Sequence, residues 1–174
     1  MSEPPAHTGQ PGISADSRLP SLGPRGEGWL LLQLLLLAAI LGTGLFIGSN
    51  WAGAPRFATA LAGVVLLLAS ATLVFYGLRD LDRSVSPLPR PGVDSVLVQD
   101  GIYRRLRHPI YAGLMLGGVG WSLLMASFVA LVLAIALTVL LDLKARREEA
   151  WLRERYPAYG PYAAQTRRFV PGLY

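Results

Sequence analysis

A histidine-containing, arginine-rich segment and a pair of adjacent glutamates have the residue types and spacing to form a binding site. Residues 97–111 read LVQDGIYRRLRHPIY, and residues 144–155 read KARREEAWLRER. His108 precedes Pro109, which suits the first position of a helix because the N–H that it lacks is not needed there. A helix start binds anions through free N–H groups and the macrodipole. Carboxylates at a helix end can accept hydrogen bonds from ribose hydroxyls or an amine. The two segments therefore indicate two halves of one site.

The sequence between these segments must bring them together. Residues 110–141 contain no charged residue. As one straight helix, they would be about 48 Å long, well beyond the ~30 Å core of a bilayer. We therefore predict two tightly connected helices that break near Ala126 and Ser127, with the second continuing through residues 144–156. Such a turn returns both polar segments to the same side of the membrane.

Two further apolar blocks precede the site residues. Residues 29–48 and 57–78 carry no charge and are each long enough to cross a bilayer. Gln33 is the one strongly polar side chain of the first block. Hydrophobic residues make up 52% of the chain and charged residues 16%, below the ~25% charged residues of soluble domains. The chain is therefore predicted to be an all-α integral membrane protein. We expect four transmembrane helices, the last two forming a tight hairpin, and a C-terminal helix that extends into the cytoplasm.

The expected organisation follows from these blocks. It comprises a disordered or loosely ordered tail (1–28), two transmembrane helices (29–78), a cytoplasmic loop with site residues (79–109), the hairpin (110–143) and a cytoplasmic helix extension and tail (144–174). Arginines concentrate in the loop and after the hairpin, whereas the link between the first two helices holds only Arg56. The excess of positive charge on cytoplasmic loops then predicts that both termini are cytoplasmic. We expect a bacterial inner membrane.

Several classes of function are disfavoured by composition. The chain has no cysteine, so a thiolate metal site and a cysteine nucleophile are excluded, and no metal site is predicted. The net charge of +5 lies beside the apolar blocks, which favours membrane lipids over nucleic acid as partners. A simpler interpretation is that the arginines anchor lipid headgroups and that the glutamates form i,i+4 pairs with Lys144 and Arg153.

The ordered set of motifs resembles the integral-membrane methyltransferases. That group includes isoprenylcysteine carboxyl methyltransferase and phosphatidylethanolamine N-methyltransferase. The resemblance covers nearly half the chain, although this sequence has only two helices before the motifs and carries Ile110 after the proline. The matching residues are Leu97-Val98-x-x-Gly101-x-Tyr103, Arg107-His108-Pro109-x-Tyr111, Glu148-Glu149, Tyr159-x-x-Tyr162 and Arg168-Phe169-Val170-Pro171.

The resemblance implies S-adenosylmethionine as methyl donor and a hydrophobic or lipidic acceptor at the cytoplasmic face. Carboxyl O-methylation is favoured, because a carboxylate acceptor needs no base, and phospholipid N-methylation is the alternative. The implied catalytic residues are Arg107, His108, Tyr111, Glu148 and Glu149. The implied cofactor-binding residues are Leu97, Val98, Tyr103, His108 and Tyr111, with Glu148 or Glu149 closing the site.

Two other classes of protein fit part of the pattern. A sterol-type reductase would use NADPH, whose 2′-phosphate suits arginine clusters, but this chain is short for a sterol-binding bundle. A non-catalytic membrane protein would use the basic loop only to anchor lipid headgroups. The sequence leaves the acceptor and the oligomeric state open.

Overall fold

The computed structural model describes residues 19–47, 56–81, 88, 90 and 96–170. A 3₁₀ turn at Gly101–Arg104 precedes the third helix. No strand occurs within the described ranges. An isolated parallel β-bridge pairs Leu106 with Arg167. The helices are α1 (Glu27–Phe46), α2 (Arg56–Leu81), α3 (Pro109–Met125), α4 (Phe128–Arg155) and α5 (Tyr159–Gln165).

Some predicted segments lie outside the described residues. They include residues 1–18 of the predicted tail, residue 48 of the first predicted helix, residues 49–55 of the link, most of 82–95 and residues 171–174. The tail residues that are described, 19–26, run directly into α1. The indole N–H of Trp29 donates to the Pro20 carbonyl at 3.1 Å, which holds this segment against the helix start.

Three helices have the length and apolarity of membrane spans. These are α1, α2 and α4, with mean hydropathy of 2.2 to 2.3. The shorter α3 has 17 residues, about 26 Å at the α-helical rise. The predicted helices at 29–48 and 57–78 agree with α1 and α2 to within three residues at each end. The all-α prediction is confirmed, with three helices of spanning length and one shorter apolar helix.

The turn between α3 and α4 lies where the length argument predicted it. Ala126 is left-handed, with φ of 49°, a conformation more common for glycine. The N–H of Ser127 donates to the Ser122 carbonyl at 3.0 Å, the bond that defines a Schellman ending. The Ser127 hydroxyl then accepts from the Ala130 N–H at 3.3 Å and caps α4. The chain thus reverses within two residues.

Glycines allow α2 and α3 to pack with their backbones in close approach. A Cβ added at Gly63 would lie 2.7 Å from the Gly120 carbonyl oxygen, and one at Gly113 would lie 3.0 Å from the Ser70 carbonyl oxygen. Small residues play this part at helix contacts in lipid, where packing rather than the hydrophobic effect drives association. These glycines are therefore packing residues.

The α1 and α4 helices pack side by side in opposite directions. Ile40 shares a buried cluster with Ala134 and Leu137. Beside the hairpin turn, the Ser127 hydroxyl lies 3.4 Å from the Thr43 carbonyl oxygen. Helix α3 contacts α2 and also packs on the α1–α4 pair. This arrangement brings the beginning of α3 and the end of α4 to the same end of the bundle.

Candidate functional site

The backbone around His108 is fixed by a segment that is distant in sequence. The Arg107 N–H donates to the Arg167 carbonyl at 2.8 Å, and the His108 N–H donates to the Arg168 carbonyl at 3.1 Å. His108 is the N-cap of α3, and Pro109 follows in the first turn, as predicted. The residues after α5 therefore hold the start of α3 in place.

The imidazole of His108 lies beside both glutamates near the end of α4. Its Nε2 is 3.3 Å from Glu149 Oε1, and its Nδ1 is 3.9 Å from Glu148 Oε2. The imidazole is buried, with 5% of its side chain exposed. The proximity expected from the hairpin is confirmed.

Glu149 is enclosed by three guanidinium groups. Arg107 Nε donates to Oε1 at 3.0 Å, and Arg168 binds both carboxylate oxygens, at 3.0 and 3.1 Å. Arg153 Nη2 donates to Oε2 at 3.2 Å. The Glu149 side chain has no exposed surface. Charge-assisted, bidentate contacts of this kind fix the relative positions of the two side chains. Glu149 therefore connects α4 to both the loop and the C-terminal segment.

Glu148 has a different environment. Its Oε2 accepts the Tyr111 hydroxyl at 2.8 Å, and 24% of its side chain is exposed. The Tyr111 ring stacks on the His108 imidazole with centroids 5.2 Å apart and planes 7° from parallel. Glu148 is therefore the more accessible of the two carboxylates.

Tyr103 connects the 3₁₀ turn to two other parts of the chain. Its hydroxyl donates to the Gly77 carbonyl of α2 at 3.2 Å, and its carbonyl accepts the Tyr162 hydroxyl of α5 at 2.8 Å. Burial raises the pKa of Tyr103 above its usual value and raises the pKa of Tyr162 to about 12. Both phenols therefore remain protonated hydrogen-bond donors at neutral pH.

The other predicted site residues lie in different surroundings. Arg107, one of the implied catalytic residues, donates to Glu149 and to the carbonyls of Ala163 and Thr166. Leu97 and Val98 are half-buried in the extended segment before the 3₁₀ turn. Neither takes part in the hydrogen bonds and ion pairs that join His108, Tyr111 and the glutamates in the described part of the chain.

Two polar residues of this network were not predicted as site residues. Arg168 binds Glu149 and also lies 3.3 Å from Asp142 Oδ1. Asp142 in turn accepts Arg146 Nε at 2.7 Å. Arg168 belongs to the last of the matching motifs, so the sequence could have indicated it as a site residue. Asp142 belongs to none of these motifs.

The chain is similar to one known protein family and to individual proteins. Residues 58–159, more than half of the chain, match the phospholipid methyltransferase family, PEMT. The cobalt-zinc-cadmium resistance protein CzcN of Cupriavidus metallidurans is 33% identical over 81 residues, which are 46% of this chain and 38% of that protein. The nickel-cobalt-cadmium resistance protein NccN of Alcaligenes xylosoxydans xylosoxydans is 27% identical over 168 residues, 94% of this chain and 73% of that protein.

The apolar helices and the family match together define the class: this is an integral membrane protein built like a membrane methyltransferase. The chain belongs to the phospholipid methyltransferase family. The matched range begins in α2 and ends at the start of α5. It includes His108, Tyr111 and both glutamates but not α1.

Proposed function

We propose that this protein is an S-adenosylmethionine-dependent methyltransferase that acts on a hydrophobic or lipidic acceptor at the cytoplasmic face of the membrane. The observation that carries the proposal is the junction of His108, Tyr111 and Glu148 where α3 begins and α4 ends. Family membership supports methyl transfer, and the apolar helices support a membrane-associated acceptor.

The residues present fit the proposed donor. Its ribose hydroxyls and amino group need hydrogen-bond acceptors, and the partly exposed Glu148 carboxylate can accept from either. Its carboxylate needs positive charge, which the exposed Arg104 and Arg105 and the start of α3 supply. When bound, S-adenosylmethionine supplies an electrophilic methyl group.

The chain's own residues then have separate roles in the proposal. Glu148 contacts the donor, Tyr111 orients Glu148, and His108 supports the Tyr111 ring by stacking. Arg107 and Glu149 hold the loop and the helix end together. Leu97, Val98 and Tyr103 form the wall next to the donor in this proposal. Methyl transfer depends on positioning more than on acid–base chemistry, which suits a site made of mutually restrained side chains.

We favour carboxyl O-methylation because a carboxylate attacks without losing a proton. Phospholipid N-methylation is the second candidate, and the family match favours it specifically. An amine acceptor must lose one proton, for which Glu148 is the most accessible base among the residues of this junction. Transfer to a phospholipid amine, and none to a lipidic acid, would select this second reaction.

The names of the two relatives refer to metal resistance, and both relatives extend beyond the aligned region. Within the described residues, no group of three His, Cys, Asp or Glu side chains could hold a metal ion. Family membership, rather than the names of these relatives, supports methyl transfer as the chemistry of this site.

The proposal is tested by binding and by turnover. Purified protein in lipid nanodiscs should bind S-adenosylhomocysteine, measured by calorimetry, and should be stabilised by it but not by NADPH. Radiolabelled methyl donor should then label one class in a panel of prenylated carboxylic acids, fatty acids and phospholipid amines. Folded protein that binds no S-adenosylhomocysteine would overturn the proposal, and stabilisation by NADPH alone would favour a reductase.

A further inference from the structure

A buried ammonium group connects α1 to the candidate site. Lys144 is 1% exposed, and its Nζ donates to Gln33 Oε1 at 2.7 Å. Gln33 is itself 8% exposed. A buried charge is strongly disfavoured unless polar groups surround it, and a polar side chain within a membrane helix is a reason to look for function.

The same ammonium also lies over the ring of a site residue. Lys144 Nζ is 5.0 Å from the centroid of the Tyr111 ring, within the range of a cation–π interaction. Tyr111 donates its hydroxyl to Glu148. A continuous series of contacts therefore runs from Gln33 through Lys144 and Tyr111 to Glu148.

The packing of α1 on α4 accounts for this alignment. Ile40 and Leu137 belong to one buried cluster. Residues 33 and 40 are separated by seven positions, and so are residues 137 and 144. Seven positions are about two helical turns, so antiparallel packing of Ile40 on Leu137 places Gln33 opposite Lys144. The helix that supplies Gln33 lies outside the range that matches the family.

We propose that Gln33 and Lys144 are positioning residues of the donor site. Gln33 holds the Lys144 ammonium over the Tyr111 ring, and the restrained phenol orients Glu148. This inference rests on the proposed function, because donor affinity is the property that the positioning serves. It makes α1 a functional part of the site as well as a membrane helix.

The test measures the dissociation constant of S-adenosylhomocysteine for the full chain in nanodiscs. Gln33→Met removes the hydrogen-bond acceptor at similar size and should weaken binding roughly tenfold. Gln33→Glu keeps an acceptor and should bind like the unsubstituted protein. Ser127→Ala is the matched control, since it removes an α1–α4 contact at the other end of the helices and should leave affinity unchanged even if stability falls.

A double-mutant cycle separates positioning from general packing. In a Tyr111→Phe background the hydrogen bond from the Tyr111 hydroxyl to Glu148 is already lost. Gln33→Met should therefore weaken S-adenosylhomocysteine binding little further in that background. A packing defect would weaken binding equally in both backgrounds. Lys144→Met provides the same comparison if Gln33→Met does not yield folded protein.

Each outcome decides between the two proposals. Folded, unsubstituted protein that binds no S-adenosylhomocysteine overturns the proposed function and this inference together. If the unsubstituted protein binds, the inference alone is overturned by an unchanged affinity in Gln33→Met or by an equal loss in both backgrounds.

Discussion

At the scale of single residues, the two adjacent glutamates have opposite environments. Glu149 has no exposed surface and contacts three arginines, whereas Glu148 is partly exposed and accepts one tyrosine hydroxyl. Successive positions on a helix point about 100° apart, so two identical side chains reach different neighbours. The environments predict a structural role for Glu149 and a ligand-binding role for Glu148.

Substituting each glutamate by glutamine should separate these roles. Glu149→Gln removes the carboxylate that pairs with the largely buried Arg107 and one of the two carboxylates that Arg168 contacts. This loss should lower the free energy of unfolding by about 3 kcal/mol. Glu148→Gln should leave stability nearly unchanged and weaken S-adenosylhomocysteine binding. Denaturant unfolding and calorimetry on the same samples give both quantities. Strong destabilisation by Glu148→Gln with none by Glu149→Gln would contradict the assignment.

Local sequence identified His108, Tyr111 and the glutamates but not the partner of Arg107. The Arg107 guanidinium binds Glu149, 42 positions away, and the Thr166 carbonyl, 59 positions away. Local sequence did not indicate these partners, because it carries no information about residues so distant along the chain. Gln33 was noticed as the one strongly polar residue of its block, yet its partner Lys144 lies 111 positions away.

At the scale of structural elements, the segment after α5 contacts the residues of the candidate site. Its backbone pairs with the loop before α3, the Phe169 ring lies 6.0 Å from the His108 ring, and Arg168 joins it to α4. The segment, which follows the hairpin in sequence, therefore restrains the His108 imidazole.

Two neighbouring arginines of this segment provide a matched comparison. Arg168→Ala removes the contacts to Glu149 and Asp142, so it should detach the segment, increase cleavage by trypsin at Arg167 and weaken S-adenosylhomocysteine binding. Arg167→Ala changes an exposed side chain and keeps the backbone bridge, so it should retain binding. S-adenosylhomocysteine binding is the readout that the two variants share, and equal affinity in both would show that the Arg168 side chain does not hold the segment.

The close approach of α2 and α3 gives a second prediction for an element. Gly63→Leu places a side chain where a Cβ alone would be 2.7 Å from the Gly120 carbonyl oxygen. The helices must then separate, and overpacking of this kind costs roughly 1–3 kcal/mol. The thermal midpoint should therefore fall by several degrees. Gly42→Ala is the control, because among the described residues no atom beyond its own stretch of helix lies within 4 Å of the added Cβ. It should be neutral or slightly stabilising, since alanine favours helix. A stable Gly63→Leu protein would show that this contact is not tight.

The elements were predictable to different degrees. The break near Ala126 and Ser127 followed from length, because 32 apolar residues exceed the bilayer as one helix, and the structure places a Schellman turn there. The seven-residue α5 and the Leu106–Arg167 bridge were not predicted. Neither is encoded by hydrophobic periodicity, and both depend on contacts with parts of the chain that are distant in sequence.

At the scale of the whole molecule, the packing of α3 and α4 places the candidate site at one end of the helical bundle. The four apolar helices alternate in direction, so residues before α1 and after α4 should lie on the same side of the membrane. With the arginine distribution, this side is expected to be cytoplasmic. The domain boundaries and the membrane orientation remain predictions.

The absence of native cysteine allows a direct test of this topology. Ser21→Cys and Gly160→Cys introduce thiols at exposed positions before α1 and within α5, and Ile47→Cys introduces one just after α1. A membrane-impermeant maleimide should label the first two in inside-out vesicles and the third in right-side-out vesicles. Labelling of Ser21→Cys and Gly160→Cys from opposite sides would contradict an even number of crossings.

The pairing of Leu106 with Arg167 has a consequence for biosynthesis. The segment that holds His108 in place is translated after every apolar helix described here. The helices can therefore be in the membrane before residues 166–170 restrain the start of α3. The protein should therefore acquire affinity for the proposed donor only after residues 166–170 have folded back onto the loop. Released chains that are truncated before Thr166 should be inserted in the membrane but unable to bind S-adenosylhomocysteine.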